Sequence, residues 1–164
     1  MPTDKEQLIT AIERHKEELI ATTCRRLQQL CDSHYEIIDY ESHLEREENF
    51  LNALLDGLRA ETPESFLTFV DRLSETRSEE GYSLEEFQEA FNIVEDGLWE
   101  TLVARYPCDE SLVKMLSLVS KIFRMSKDHL ARVYLNKSLL AERELEELRK
   151  KFRVYRKVTQ QKHL

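Results

Sequence analysis

Apolar residues recur along this chain at spacings of three and four, the period of a helix with one buried face. Leu8, Ile12, Leu19, Ile20, Leu27 and Leu30 form a first stripe, opened by Thr3-x-x-Glu6. That pair is a capping box, in which the hydroxyl accepts from the third helical N–H and the carboxylate reaches back to the cap N–H. The stripe predicts a helix from Thr3 to about Leu30. Residues 31–41 break the period and are expected to form a loop that packs down through Tyr35, Ile37, Ile38 and Tyr40. Ser42-x-x-Glu45 reads as a second capping box, followed by Leu44, Leu51, Leu54, Leu55 and Leu58. Thr62-Pro63-Glu64 opens a third helix, with Thr62 expected as the cap and Pro63 in the first turn. Phe66, Phe69, Val70 and Leu73 line its face, and Gly81 is placed to end it in the left-handed conformation. Ser83-x-x-Glu86 caps a fourth helix carrying Leu84, Phe87, Phe91, Val94, Leu98 and Leu102, which Pro107 stops.

From a cap at Asp109 or Ser111 no Gly or Pro interrupts the chain up to Leu164. Leu112, Leu116, Val119, Phe123, Ser126, Leu130 and Val133 repeat as heptads. The seam then slips by four residues through Lys137 and Ala141, a stutter, and resumes as Leu145, Leu148, Phe152 and Tyr155. A helix over 110–158 would span roughly 73 Å at about 1.5 Å per residue. A compact domain of this length is only about 40 Å across. About half of the helix is therefore expected to project, and Leu145, Leu148, Phe152 and Tyr155 are expected to be the seam of a homodimer. Glu146 and Lys150 are placed for an i,i+4 ion pair. The expectation is an all-α fold: a bundle of about five main helices over residues 1–140, and a coiled-coil helix over 141–164 continuous with its last member. Globin-like packing is the alternative architecture.

Composition agrees with helices and narrows the chemistry. Only three Gly and three Pro occur in 164 residues, while 34% are charged. The apolar runs are too short for a transmembrane span. The polar start Met1-Pro2-Thr3-Asp4 is no secretory signal, and Cys24, Cys31 and Cys108 are an odd set of thiols, so a cytoplasmic location is expected. Cys24 and Cys31, seven apart, are expected on one helical face but too distant to share a metal or a disulfide. The first 148 residues carry 17 basic and 32 acidic side chains, which disfavours nucleic-acid binding, whereas residues 149–164 carry seven bases and no acid. That tail, RKKFRVYRK, reads either as the solvated flank of the seam or as a determinant for an anionic membrane or RNA.

No catalytic constellation emerges, and the chain is expected not to be an enzyme. The histidines are His15, His34, His43, His129 and His163, and none stands in Glu-x-x-His or His-Glu-x-x-His. No metal site is therefore expected. His129 is followed by Leu-Ala-Arg, with no acid there to orient it as a phospho-acceptor. The glycines Gly57, Gly81 and Gly97 are isolated, so no phosphate-cradling loop is expected. The carboxylates are numerous, but none is expected beside aromatics that would desolvate it. Phe87, Phe91, Trp99 and Phe123 are expected in the core and are candidates to enclose a small apolar pocket. No cofactor is expected; the competing possibility is haem held by His129 or His15.

The stretch Leu73–Leu135, with Arg77-x-x-x-Gly81-Tyr82-Ser83-Leu84-Glu85-Glu86, an apolar helix through Trp99 and a further helix bearing Leu130 and Tyr134, resembles the N-terminal domain of RsbT co-antagonist proteins of the RsbRD type. The resemblance implies a helical sensory or scaffold domain of bacterial stress signalling, usually dimeric. Such a domain passes a signal down its C-terminal helix to an output domain or partner protein. A related class is globin-like without haem, and the family carries over no catalytic residue.

Overall fold

The computed structural model describes the backbone of residues 1–161 and the side chains of residues 1–155. Five helices follow one another: α1 (Asp4–Gln28), α2 (Tyr40–Arg59), α3 (Glu64–Glu79), α4 (Leu84–Arg105) and α5 (Glu110–Gln161). They pack as a ring in the order α1, α2, α3, α5, α4 and back to α1. The described residues contain no strand.

Local chemistry sets the boundaries. The capping boxes Thr3–Glu6 and Ser83–Glu86 both form. Gly81 takes φ +92°, which a side chain rarely tolerates, and turns the chain from α3 into α4. Asp109 accepts from the Leu112 N–H at 3.0 Å and starts α5. Three expected boundaries move. The first helix ends at Gln28, and Asp32 enters the left-handed region at φ 57°. Cys31 therefore lies exposed in a turn, while Cys24 is buried, so the two do not share a helical face. The second helix starts at Tyr40 because Asp39, not Ser42, is the cap; it accepts the Ser42 N–H at 2.8 Å. Aspartate is as good a cap as serine, and it comes first in the chain. The third helix begins after Pro63, with no side-chain cap, so Thr62 does not cap it.

The core is one large cluster with a smaller one, Leu27, Tyr35, Tyr82, Ala90 and Ile93, beside it. Leu8, Ile12, Leu51, Leu54, Phe66, Val70, Phe91, Leu98, Leu102, Met115, Val119, Phe123 and Leu130 join all five helices. Phe50 is its aromatic hub, with ring centroids 5.3 Å from Phe91, 5.6 Å from Phe66 and 6.1 Å from Phe123. Each such ring contributes about 1.5–3 kcal/mol of burial. Gly57 lets α2 meet α3, since a Cβ there would stand 2.5 Å from Phe66 Cβ.

The last helix is unbroken through the seam slip. Its anchors to the bundle run as far as Lys137, whose ammonium donates to the Glu75 carbonyl at 3.1 Å. From Ser138 to Tyr155 every residue is exposed.

Candidate functional site

A cavity of about 40 Å³ lies within the bundle, between the end of α1, the α1–α2 turn, α2, α3 and α4. Its apolar wall is Leu27, Phe50, Leu73, Phe87, Phe91 and Val94, and its polar wall is Tyr35, His43, Arg46, Glu47 and Arg77. The polar wall arises from the helical period. His43, Glu47, Phe50 and Leu54 follow one another at spacings of four, three and four on the inner face of α2. Glu47 thus occupies a position where the stripe calls for an apolar side chain.

Each polar group is held differently. His43 is 1% exposed, and its Nε2 lies 2.8 Å from the Tyr35 carbonyl, which fixes the α1–α2 turn onto α2. Burial pushes the His43 imidazole below its usual range, keeping it neutral, and Nε2 is then the donor to that carbonyl. Arg77 is buried, donates to Glu80 at 2.7 Å and lies 5.5 Å from the centre of the Tyr82 ring. Arg46 donates to the Tyr82 hydroxyl at 2.9 Å and also reaches Glu80. Burial pushes the Glu47 carboxyl up to about 7, against the opposing pull of the Arg77 guanidinium. Burial likewise raises the Tyr35 phenol. Glu47 thus places a half-buried carboxyl beside Phe50, Phe87 and Phe91, contrary to the reading that no carboxyl would stand beside aromatics that desolvate it.

The polar wall continues to α5. The Tyr134 hydroxyl donates to the Tyr82 carbonyl at 2.9 Å. Glu86 fastens the same corner by accepting from the His34 N–H at 2.8 Å and the Ser83 N–H at 2.7 Å. Burial acts to raise the Glu86 carboxyl, but these bonds and those from the His34 and Ser83 side chains outweigh it and hold it down at about 2.

The expected pocket aromatics divide. Phe87 and Phe91 line the cavity, and Phe123 is buried against Phe91 from α5 without lining it. Trp99 is 40% exposed and donates from Nε1 to Ser120, away from the cavity. His129 is paired through Nδ1 with Asp71 at 2.9 Å, so α3 supplies the carboxylate that its chain neighbours were not expected to give. His15 lies beside Glu18. Neither histidine lines the cavity, and about 40 Å³ does not take a haem. His163 lies outside the described residues.

The expected seam residues Leu145, Leu148, Phe152 and Tyr155 are 49%, 50%, 70% and 72% exposed on α5. Glu146 and Lys150 pair there at 3.4 Å, at the expected spacing. Of the basic tail, Arg149 to Arg153 are exposed, and the side chains of Arg156 and Lys157 lie outside the described residues. No described helix is long and apolar enough to cross a membrane.

Sequence reasoning missed the polar wall because it reads stripes by their apolar members. The available signal was the charged residue at position 47, one turn from Phe50 and Leu51.

Comparison with known families returns a match over residues 17–149 to the family described as the RsbT co-antagonist protein RsbRD N-terminal domain. The matched stretch holds α2, α3 and α4 entire, and with them the whole cavity lining. No curated protein and no solved structure matches the chain.

Proposed function

We propose, from the premise that the chain belongs to the RsbT co-antagonist protein RsbRD N-terminal domain family, that it is a non-catalytic signal-input domain whose output is the position of α5. The family is one of regulatory stress signalling. The observation that carries the finer reading is the continuity of α5. One helix forms a wall of the bundle, receives the Tyr134–Tyr82 bond at its exit, and then runs on with Leu145, Leu148 and Phe152 exposed on one stripe. A second copy of the chain is the proposed cover for that stripe, as a coiled coil over the seam, with the site of action in the cytoplasm. A change in bundle packing would shift or rotate α5 and so be read by an output domain or partner protein.

Sedimentation of the Leu145→Asp, Leu148→Asp double variant tests the dimer seam. A monomer is expected. A dimer as strong as that of the parent chain overturns the seam and moves the interface elsewhere.

The cavity favours a second element of the reading, that the input is a small molecule bound inside the bundle. Arg46 and Arg77 on its polar wall both touch Tyr82, whose carbonyl anchors α5, which supports coupling between the two.

A further inference from the structure

We infer that the cavity between Tyr35, Glu47 and Phe91 binds a small uncharged molecule with one hydroxyl or amide head and only two or three heavy atoms; the inference rests on the signal-input reading and supplies its ligand class.

Two polar groups on the cavity wall lack partners. The Tyr35 side chain is 5% exposed, and its hydroxyl makes no hydrogen bond to any described residue. The Glu47 carboxyl likewise accepts none. Among the described residues every fully enclosed side-chain nitrogen or oxygen has a partner, so the Tyr35 hydroxyl and the Glu47 carboxyl each keep some accessible surface, and both residues line the cavity. A polar group sheltered from water and left unpaired is costly, and the buried Tyr35 hydroxyl and half-buried Glu47 carboxyl stand ready to bond whatever enters. One is a hydroxyl donor, the other a carboxyl acceptor. A hydroxyl or primary amide answers both at once, giving a proton to the carboxyl and taking one from the phenol.

Charge selects against ions. Around the cavity Arg46 and Arg77 both reach Glu80, and Glu47 supplies the fourth charge, so the ionised set is balanced. A cation would meet two guanidinium groups. An anion would stand beside Glu47 and find Arg77 and Arg46 already engaged. A neutral guest disturbs neither pairing.

Size limits the guest. A cavity that takes benzene is about 150 Å³; this one, at about 40 Å³, takes a few heavy atoms. The ceiling on affinity per atom then puts the Kd at about a millimolar at the tightest. The short apolar end would lie on Phe50, Phe87 and Phe91.

The test uses the full chain with its leucine and valine methyls labelled for NMR. Ethanol and formamide are the neutral probes; formate and methylammonium are charged probes of matching size. Saturable shifts are expected at the methyls of Leu27, Leu73 and Val94 with both neutral probes and with neither ion. Tyr35→Phe keeps the ring and removes the hydroxyl, and should raise the Kd roughly threefold to tenfold, the worth of one hydrogen bond. Ala90→Val narrows the same space and should abolish the shifts should Tyr35→Phe fail to fold. Absence of saturation with the neutral probes, equal binding by an ion, or shifts indifferent to the folded variants would overturn the inference. Saturable binding that leaves the amides of residues 131–137 unmoved would instead sink the signal-input reading and leave the site standing.

Discussion

Tyr134 hydrogen-bonds the carbonyl of Tyr82 across 2.9 Å, joining α5 to the turn between α3 and α4 just before α5 leaves the bundle. Tyr82 also holds Arg46 through its hydroxyl and faces Arg77 with its ring. One residue thus ties the polar wall of the cavity to the point where α5 leaves the bundle. Tyr134→Phe deletes only this tie. It should cost about 1 kcal/mol in urea unfolding. Amide exchange around residues 131–137 should quicken by more than that at the centre of α4. Uniform quickening would mean that the bond supports the whole bundle rather than the exit.

Stability should respond to pH in two opposite ways. The Glu47 carboxyl rises from 4.5 to about 7 on folding. Between those values the folded chain holds a proton that the unfolded chain has lost, so Glu47 lowers stability as pH rises through that window. Its wall neighbours Tyr35, His43, Arg46 and Arg77 bring no second carboxyl that would reverse the sign. Glu47→Gln should remove the decline, leaving the variant up to about 3 kcal/mol more stable than the parent at pH 8. Equal slopes for parent and variant between pH 5 and 7 would refute the assignment.

Glu86 works the other way. Its carboxyl falls from 4.5 to about 2 on folding, so its support is complete above 4.5 and disappears as pH falls towards 2. Glu86→Gln should therefore flatten the acid limb of the stability curve. It should also free the α1–α2 turn at His34, visible as faster exchange of that amide.

Burial pushes the Cys24 thiol up to about 12, with the Glu47 charge adding to the effect. Cys31 and Cys108 are exposed. Alkylation of the native chain at neutral pH should modify those two and spare Cys24, because the thiolate is the nucleophile. Stoichiometric labelling of Cys24 without denaturant would show that the packing over this face of α1 opens readily.

Gly57→Ala should cost more than the usual glycine-to-alanine exchange in a helix, which stabilises. The added Cβ would stand 2.5 Å from Phe66 Cβ, an atom fixed to the backbone of α3. Separation of α2 from α3 should cost about 1–3 kcal/mol. A melting temperature equal to or above that of the parent would show that the two helices part freely.

The number, order and long last member of the helices were legible because each depends on local chemistry: a 3.6-residue period, a capping pair, a glycine or proline between stripes. Thr3, Ser83 and Gly81 act as their sequence neighbourhood predicts. Asp39 was missed because two capping residues three positions apart compete, and only the geometry of the Asp39–Ser42 pair decides between them. The cavity was half legible. Phe87 and Phe91 stand on a clean stripe, but Trp99 sits beside that stripe and turns outwards to Ser120. Glu47, Arg77 and Tyr35 come from three different segments, and the Asp71 that pairs His129 is 58 residues away in the chain. Such meetings are made by helix packing, and no spacing along one helix encodes them.

Because α5 crosses the seam slip without a break, it is a mechanical arm with its fulcrum in the bundle. The stretch from Leu112 to Tyr134 is held, and the stretch from Tyr134 to Gln161 is roughly 40 Å of stiff rod at about 1.5 Å per residue. The two arms are of similar length. A sideways step of about 1 Å at Tyr134, pivoting near Leu112, therefore becomes roughly 2 Å at the far end, and a turn about the rod's own axis arrives there undiminished. On the proposed reading, a displacement too small to reorder the cavity wall would in this way be delivered at twice its size, along a helix unbroken from Glu110 to Gln161.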